Sequence, residues 1–362
     1  MQAAVQGLNI GIAGAGLLGR LVAWTLAHAG HRVSVFDPAG GPEPTFDGQG
    51  AAGFTAAGML SPTAERETAD DDLAQRGWQS IARWQQIAET LGQSRPGTPR
   101  LFERQGSLLV AHGSDQGAAR RVLARLGEGG DASTSGTQPQ MLDAATLTEL
   151  EPSLHSTMGR LHAWMLAGEA HIDTVRTLQH LHDDAPSVQW HWGRPVQEVR
   201  AGHLDQHRFD WVFDLRGVGA KATCAVRGVR GEMVWLHAPG LGLKRPVRLL
   251  HPRHRVYVVP RPGDVVLVGA SEIETEDRSP MSLRSAVELM AAAHSVLPAL
   301  AESRILRMDV NLRPALPDHR PLCHVEAGLV RINGLYRHGW LLGPSLVDEA
   351  LGQTGLLPTA PH

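Results

Sequence analysis

Two short stretches carry residue types and spacings suited to chemistry. The first is Gly14-Ala15-Gly16-Leu17-Leu18-Gly19, a G-x-G-x-x-G run between an apolar segment and a helix-like one, with Asp37 closing the next apolar segment. Gly14 permits a tight turn, Gly16 lets backbone approach a pyrophosphate, and Gly19 allows close helix–strand packing. Amides at the helix N-terminus add donors and positive dipole. Asp37 stands where a carboxylate accepts hydrogen bonds from ribose hydroxyls and repels a 2′-phosphate, so NAD or FAD is expected and NADP is not. The second stretch is NGLYRHGWLLGP, residues 333–344. Here Arg337 and His338 sit between two glycines and run at once into Trp340, Leu341 and Leu342. A solvated loop has no need of that apolar follow-through, and a core strand does not hold an arginine without a partner.

The elements that position these groups follow from periodicity. Residues 8–13 suit a buried parallel strand, and Leu18, Val22, Leu26 and Ala29 share one face of the helix that follows. Gly30 ends that helix, and residues 31–37 read as a second strand. The small residues of AAGFTAAGMLSP (51–62) make a poor core but let backbone lie flat against a ring system. A helix is expected over 71–91, with the acidic run Asp70-Asp71-Asp72 at its start, and a hairpin or strand pair over 101–112 turning near Gln105-Gly106. Residues 115–127 read as helix, 128–140 as a flexible loop, 146–151 as a short helix, and 174–183 as a helix capped by Asp173. Strands are expected at 188–192, 195–200 and 208–214, followed by a β-rich run over 227–271. A helix at 281–295, strands at 305–313 and 329–333, and a terminal helix at 344–354 complete the chain. This order predicts an α/β protein: a Rossmann-type nucleotide domain, discontinuous in sequence, beside a second domain built on an antiparallel sheet. The nucleotide domain takes residues 1–92, 151–225 and 305–362, and the substrate domain takes 93–150 and 226–304.

Composition narrows the class. At 362 residues the chain is long enough for two domains, and a formal net charge of -3 without a basic block gives no reason to expect nucleic acid or an acidic membrane surface. Its two cysteines, Cys224 and Cys323, make no disulfide framework and fit a reducing, cytoplasmic setting. The first residues lack the basic region of a signal peptide, and no apolar run reaches the ~18 residues needed to span a bilayer. The 19 histidines form no HExxH and have no cysteine set beside them, so no metal is expected.

With these segments placed, the sequence resembles the FAD-dependent D-amino-acid oxidase family, and within it the glycine oxidases of thiamine biosynthesis. The carriers, in order, are GAGLLG (14–19), TAAGMLSP (55–62), VRGEMVWL (229–236), RVYVVPRPGDVVLVGASE (255–272), NLRPALPDHRP (311–321) and GLYRHGWLLGP (334–344). The resemblance selects FAD. It implies that the loop Ala56, Ala57, Gly58, Met59 and Leu60 lies beside the flavin, and that His338, Gly339, Trp340 and Leu341 run along the isoalloxazine edge. The glycine run, Asp37, Pro38, Val196, Gly217 and Gly219 complete the implied cofactor contacts, with Arg313 and Arg337 reaching the same region. It implies further that Arg313 pairs with a substrate carboxylate and that Tyr257 lines the pocket. Arg337 is then a second active-site arginine, and Glu272 stands in the pocket wall.

The implied reaction is oxidative deamination of glycine or another small amino acid. Hydride passes from the α-carbon to flavin N5, dioxygen is the acceptor, and hydrogen peroxide and an imine or 2-oxo acid leave, with a place in thiamine thiazole formation. An amino-acid dehydrogenase delivering electrons to a quinone or a protein is the alternative. Arginine suits the carboxylate because its planar fork binds two oxygens at once where lysine does not. Self-assembly into a homo-oligomer is left open. Three departures stand out: Asp214-Leu215-Arg216-Gly217-Val218-Gly219-Ala220 replaces a turn of small residues, Leu322-Cys323-His324 stands after DHRP where an Ile-Gly is common, and Glu272 puts an acid where apolar groups are common.

Overall fold

A computed structural model describes residues 7–127, 138–155, 159–251 and 255–357, so most of the loop expected at 128–140 lies outside the described residues. Asn9–Ala13 is a buried strand paired in parallel with Arg32–Asp37 on one side and Trp211–Asp214 on the other. Gln189–Trp192 extends the sheet beyond Arg32–Asp37, while Leu329–Asn333 and then an antiparallel edge, Leu322–Glu326, extend it the other way. Helices Leu17–His28, Thr174–Asp183 and Gly339–Thr354 share one core with this sheet, in which Ile12, Leu26, Val35, Leu178, Phe213 and Leu346 are almost wholly buried. The alternating apolar strands and one-faced helices of the sequence account for that layer.

A second sheet has eight strands, ordered Arg304–Ala315, Arg227–His237, Val265–Gly269, Arg255–Arg261, Val247–Leu250, Ser107–His112, Leu161–Leu166 and Gln140–Leu142. All neighbours are antiparallel except Val247–Leu250 with Ser107–His112. Helix Leu283–Val296 covers one face through Leu289, Ala293 and Val296.

Four sequence expectations change. Residues 101–112 are not a hairpin: Phe102–Glu103 pairs with Ala170–Ile172 in a small three-stranded sheet, whereas Ser107–His112 enters the eight-stranded one. Residues 161–166 and 305–315, placed with the nucleotide segments 151–225 and 305–362, hydrogen-bond into the eight-stranded sheet instead. The strand expected at 195–200 shrinks to Val199–Arg200. The terminal helix begins at Gly339, with Pro344 inside it. Proline has no N–H for the carbonyl one turn back, and the Trp84 indole donates to that orphan, the Trp340 carbonyl, at 2.8 Å. The next amide, Ser345, donates to the Ser80 hydroxyl at 3.2 Å. Helix Asp71–Gln93 thus supplies both substitutes for the interrupted ladder.

Candidate active site

A cavity of ≈ 1850 Å³ is lined by residues of both large sheets. Its volume exceeds the ~300–1,000 Å³ of ordinary small-molecule clefts and suits a dinucleotide with a small substrate beside it. Gly14 (φ +102°) donates to the Phe36 carbonyl at 2.8 Å, and a Cβ there would stand 2.6 Å from the Leu215 carbonyl oxygen. A Cβ on Gly19 would fall 1.8 Å from the Gly14 carbonyl oxygen, so the helix packs on the strand at a distance only glycine allows. The Arg20 guanidinium, 1 % exposed, donates to the carbonyls of Ala15, Leu178 and Pro42 and ties this turn to the core. Asp37 accepts from the Ala15 amide at 2.6 Å and the Ala39 amide at 2.8 Å, and each oxygen keeps a second acceptor position.

Two helix N-termini open on this cavity. Helix Leu17–His28 starts from Gly16 and helix Gly339–Thr354 from His338, and neither carries a side-chain cap. Leu17, Leu18, Gly339, Trp340 and Leu341 line the cavity, and first-turn amides have no intrahelical acceptor. Such uncapped ends fit anionic or carbonyl oxygens of a ligand. Between them passes the small-residue loop. The Thr174 hydroxyl and the Arg261 guanidinium hold the carbonyls of Ala56 and Ala57, and the Ile172 amide holds that of Gly58. A Cβ on Gly58 would stand 2.2 Å from the Ile172 carbonyl oxygen. Burial lowers the Arg261 pKa to about 10.

Of the residues singled out from sequence, Pro38, Ala56, Ala57, Gly58, Met59, Val196, Gly217, Gly219, Tyr257, Glu272, Arg313, Arg337 and His338 line the cavity. Ala15, Gly19 and Leu60 do not: Ala15 acts through its amide, Gly19 packs against Gly14, and Leu60 is wholly buried in the core. The charged pair Asp214 and Arg216 proves self-sufficient, joined at 2.7 Å, with Arg216 also donating to the Val196 carbonyl.

On the eight-stranded sheet, Arg313 and Tyr257 come from strands three places apart, and both side chains line the cavity. Gly231, two residues on from Val229, the register partner of Arg313, leaves room for the guanidinium: a Cβ there would lie 2.4 Å from Arg313 Cζ. Gly269 opposite Tyr257 does the same for the phenol, with a Cβ 2.9 Å from the ring. Arg313 Nη1 donates to the Ser271 carbonyl at 3.0 Å and the Arg230 carbonyl at 3.4 Å. Among the described residues no carboxylate pairs with it. Burial pushes the Tyr257 phenol up, against the nearby charges of Arg313, Arg248 and Arg337.

Arg337 lines the cavity as expected and is held by carboxylates. Its Nη2 meets Glu65 Oε2 at 2.8 Å and the Thr68 hydroxyl, and its Nη1 lies 3.7 Å from Glu272 Oε2. His338 Nε2 reaches the same Glu65 oxygen at 3.0 Å. Burial opposes charge on Glu65, but the His338 hydrogen bond and the charges of His338, Arg337 and Arg248 outweigh it and hold the carboxyl well below the usual range. Sequence reading missed Glu65. Its one signal is position, three residues past the small-residue loop on the short helix Pro62–Glu65. Arg261 and Thr174 were missed as well.

A family model described as FAD dependent oxidoreductase (DAO) matches residues 9–347. The chain belongs to the DAO family of FAD-dependent oxidoreductases. A protein of Rhizobium etli named as a thiamine biosynthesis oxidoreductase, ThiO, is 36% identical over 343 residues, covering 94% of this chain and 95% of that one. The glycine oxidase structure from Geobacillus kaustophilus superposes with a TM-score of 0.79 at 24% identity, covering 98% and 96% of the two chains. The iminodiacetate oxidase structure from Chelativorans sp. BNC1 gives a TM-score of 0.74 at 23% identity and covers 97% of each. These structures share the fold. Family membership makes the chain an enzyme and FAD its cofactor, and the glycine turn, the uncapped helix ends and the cavity volume fit that group. Among the described residues no helix is long and apolar enough to cross a membrane.

Proposed function

We propose that the enzyme oxidises the CH–NH₂ group of glycine or another small amino acid to an imine, which water hydrolyses, with dioxygen as final acceptor. The observation that carries this reading is Arg313: a cavity-facing guanidinium held on one side by two carbonyls and paired with no carboxylate among the described residues. Its Nη2 and Nε retain donors in fork geometry for a carboxylate. Tyr257 adds a hydroxyl beside it, and the two together fix the α-carbon, so much of the rate enhancement is orientation. FAD, when bound, supplies the hydride acceptor. The arginine's anchoring to Ser271 and Arg230 limits its motion, which keeps that orientation from being lost with each substrate. A role in thiamine thiazole formation, in a reducing cytoplasmic compartment, is part of the proposal and is supported by the likeness to the Rhizobium etli protein. Hydrogen peroxide yield per glycine consumed tests the acceptor. One peroxide per turnover in air is expected; turnover that needs a dye or quinone and yields no peroxide would instead assign a dehydrogenase.

A further inference from the structure

Arg313 and Arg337 line the same cavity, yet their electrostatic situations are opposite. Arg313 donates to two backbone carbonyls, so its charge is uncompensated among the described residues. Arg337 is compensated: Nη2 donates to Glu65 and Thr68, and Nη1 faces Glu272 at 3.7 Å. Glu67, two residues on from Glu65, is already paired with Arg248 at 2.9 Å. The Arg337, Glu65 and Glu272 side chains are 20%, 17% and 50% exposed, so Glu65 is shielded while Glu272 reaches solvent in the cavity.

Resting on the amino-acid reading above, we propose that Glu65 and Glu272 are specificity-determining residues. By neutralising Arg337 they leave Arg313 as the cation available to substrate, so the site selects amines with one carboxylate over amines with two. A second carboxylate arriving at Arg337 meets two carboxylates already there, and like charges brought together cost several kcal/mol. Removing either acid frees a guanidinium edge with its fork intact.

The test uses FAD-loaded full-length protein as wild type, Glu272→Gln, Glu65→Gln, the double variant and Glu65→Asp. Two readouts run in parallel. One is kcat/KM for iminodiacetate, which is glycine with a second carboxymethyl arm, relative to glycine. The other is equilibrium titration of the flavin absorbance with unreactive malonate and acetate. Both diacid-to-monoacid ratios are expected to rise at least about tenfold in the double variant, with Glu272→Gln between it and wild type. Glu65→Asp is expected to keep the wild-type preference, and the gain to lie in KM and not kcat. Unchanged ratios in Glu272→Gln and in the double variant overturn the inference. Glu272 is half exposed, so its variant stays informative even where loss of Glu65 impairs folding. Failure of the underlying reading is distinct: no amino acid then reduces the flavin of the wild type, while the malonate and acetate titrations still report selectivity.

Discussion

Replacing Arg313 by leucine separates substrate binding from cofactor binding. The guanidinium spends Nη1 on the Ser271 and Arg230 carbonyls, which leaves Nη2 and Nε for a carboxylate. Hydrogen bonds to charged groups contribute about 1.5–3 kcal/mol each, so losing two removes about 3–6 kcal/mol. The side chain is only partly buried, which favours the lower half of that range and a fall in kcat/KM of about 10²–10³-fold. Lysine restores charge without the fork and is expected to fall between wild type and leucine. The glycine turn and the two helix ends that suit FAD lie on other elements, so FAD affinity is expected to change by less than about tenfold, under ~1.4 kcal/mol. The assay is initial-rate kinetics over a wide glycine range alongside fluorescence titration of apoprotein with FAD. A KM for Arg313→Leu within about threefold of wild type, or a loss of FAD affinity as large as the loss of kcat/KM, refutes the assignment.

Further outcomes follow from packing and charge. Gly19→Ala puts a methyl 1.8 Å from the Gly14 carbonyl oxygen. Overpacking of that kind costs about 1–3 kcal/mol, read as a fall in melting temperature together with weaker FAD binding. Trp84→Phe leaves the Trp340 carbonyl without its indole donor and is expected to cost about 1–3 kcal/mol in a denaturant melt. Burial pushes the Glu169 carboxyl from 4.5 up to about 7, against hydrogen bonds from the Ser107 hydroxyl and the Ala64 amide. The folded state therefore binds this proton more tightly than the unfolded one. Its contribution is complete below pH 4.5, declines as pH rises, and is lost, by about 3 kcal/mol, once pH passes 7. Glu169→Gln is expected to remove that decline; parallel stability curves for variant and wild type across this window contradict it.

Local signals in the chain carried the nucleotide-binding half well. The glycine run with its flanking strands, Asp37 and the Asp173 cap depend on residues a few positions apart, and the structure places them as that spacing requires. Where partners lie far apart in sequence, the reading failed. Pro344 marked a helix start by local rules, but Trp84 and Ser80 satisfy the carbonyl and amide that proline disrupts, and the helix extends back to Gly339. Phe102–Glu103 and Ser107–His112 look like a hairpin because nothing local shows that their partners are Ala170–Ile172 and Leu161–Leu166. The resemblance gave the carboxylate to Arg313 and a second active-site place to Arg337, but nothing local showed what pairs with Arg337. Glu65 is brought to Arg337 by the fold.

Anaerobic mixing of the FAD-loaded protein with glycine, sarcosine and D- and L-amino acids, followed by flavin absorbance, reads the central claim directly. Glycine or another small amino acid is expected to bleach the flavin in a single turnover, and admitting air is expected to restore the colour with release of peroxide. A flavin that stays oxidised with every member of the panel contradicts amino-acid oxidation by this site.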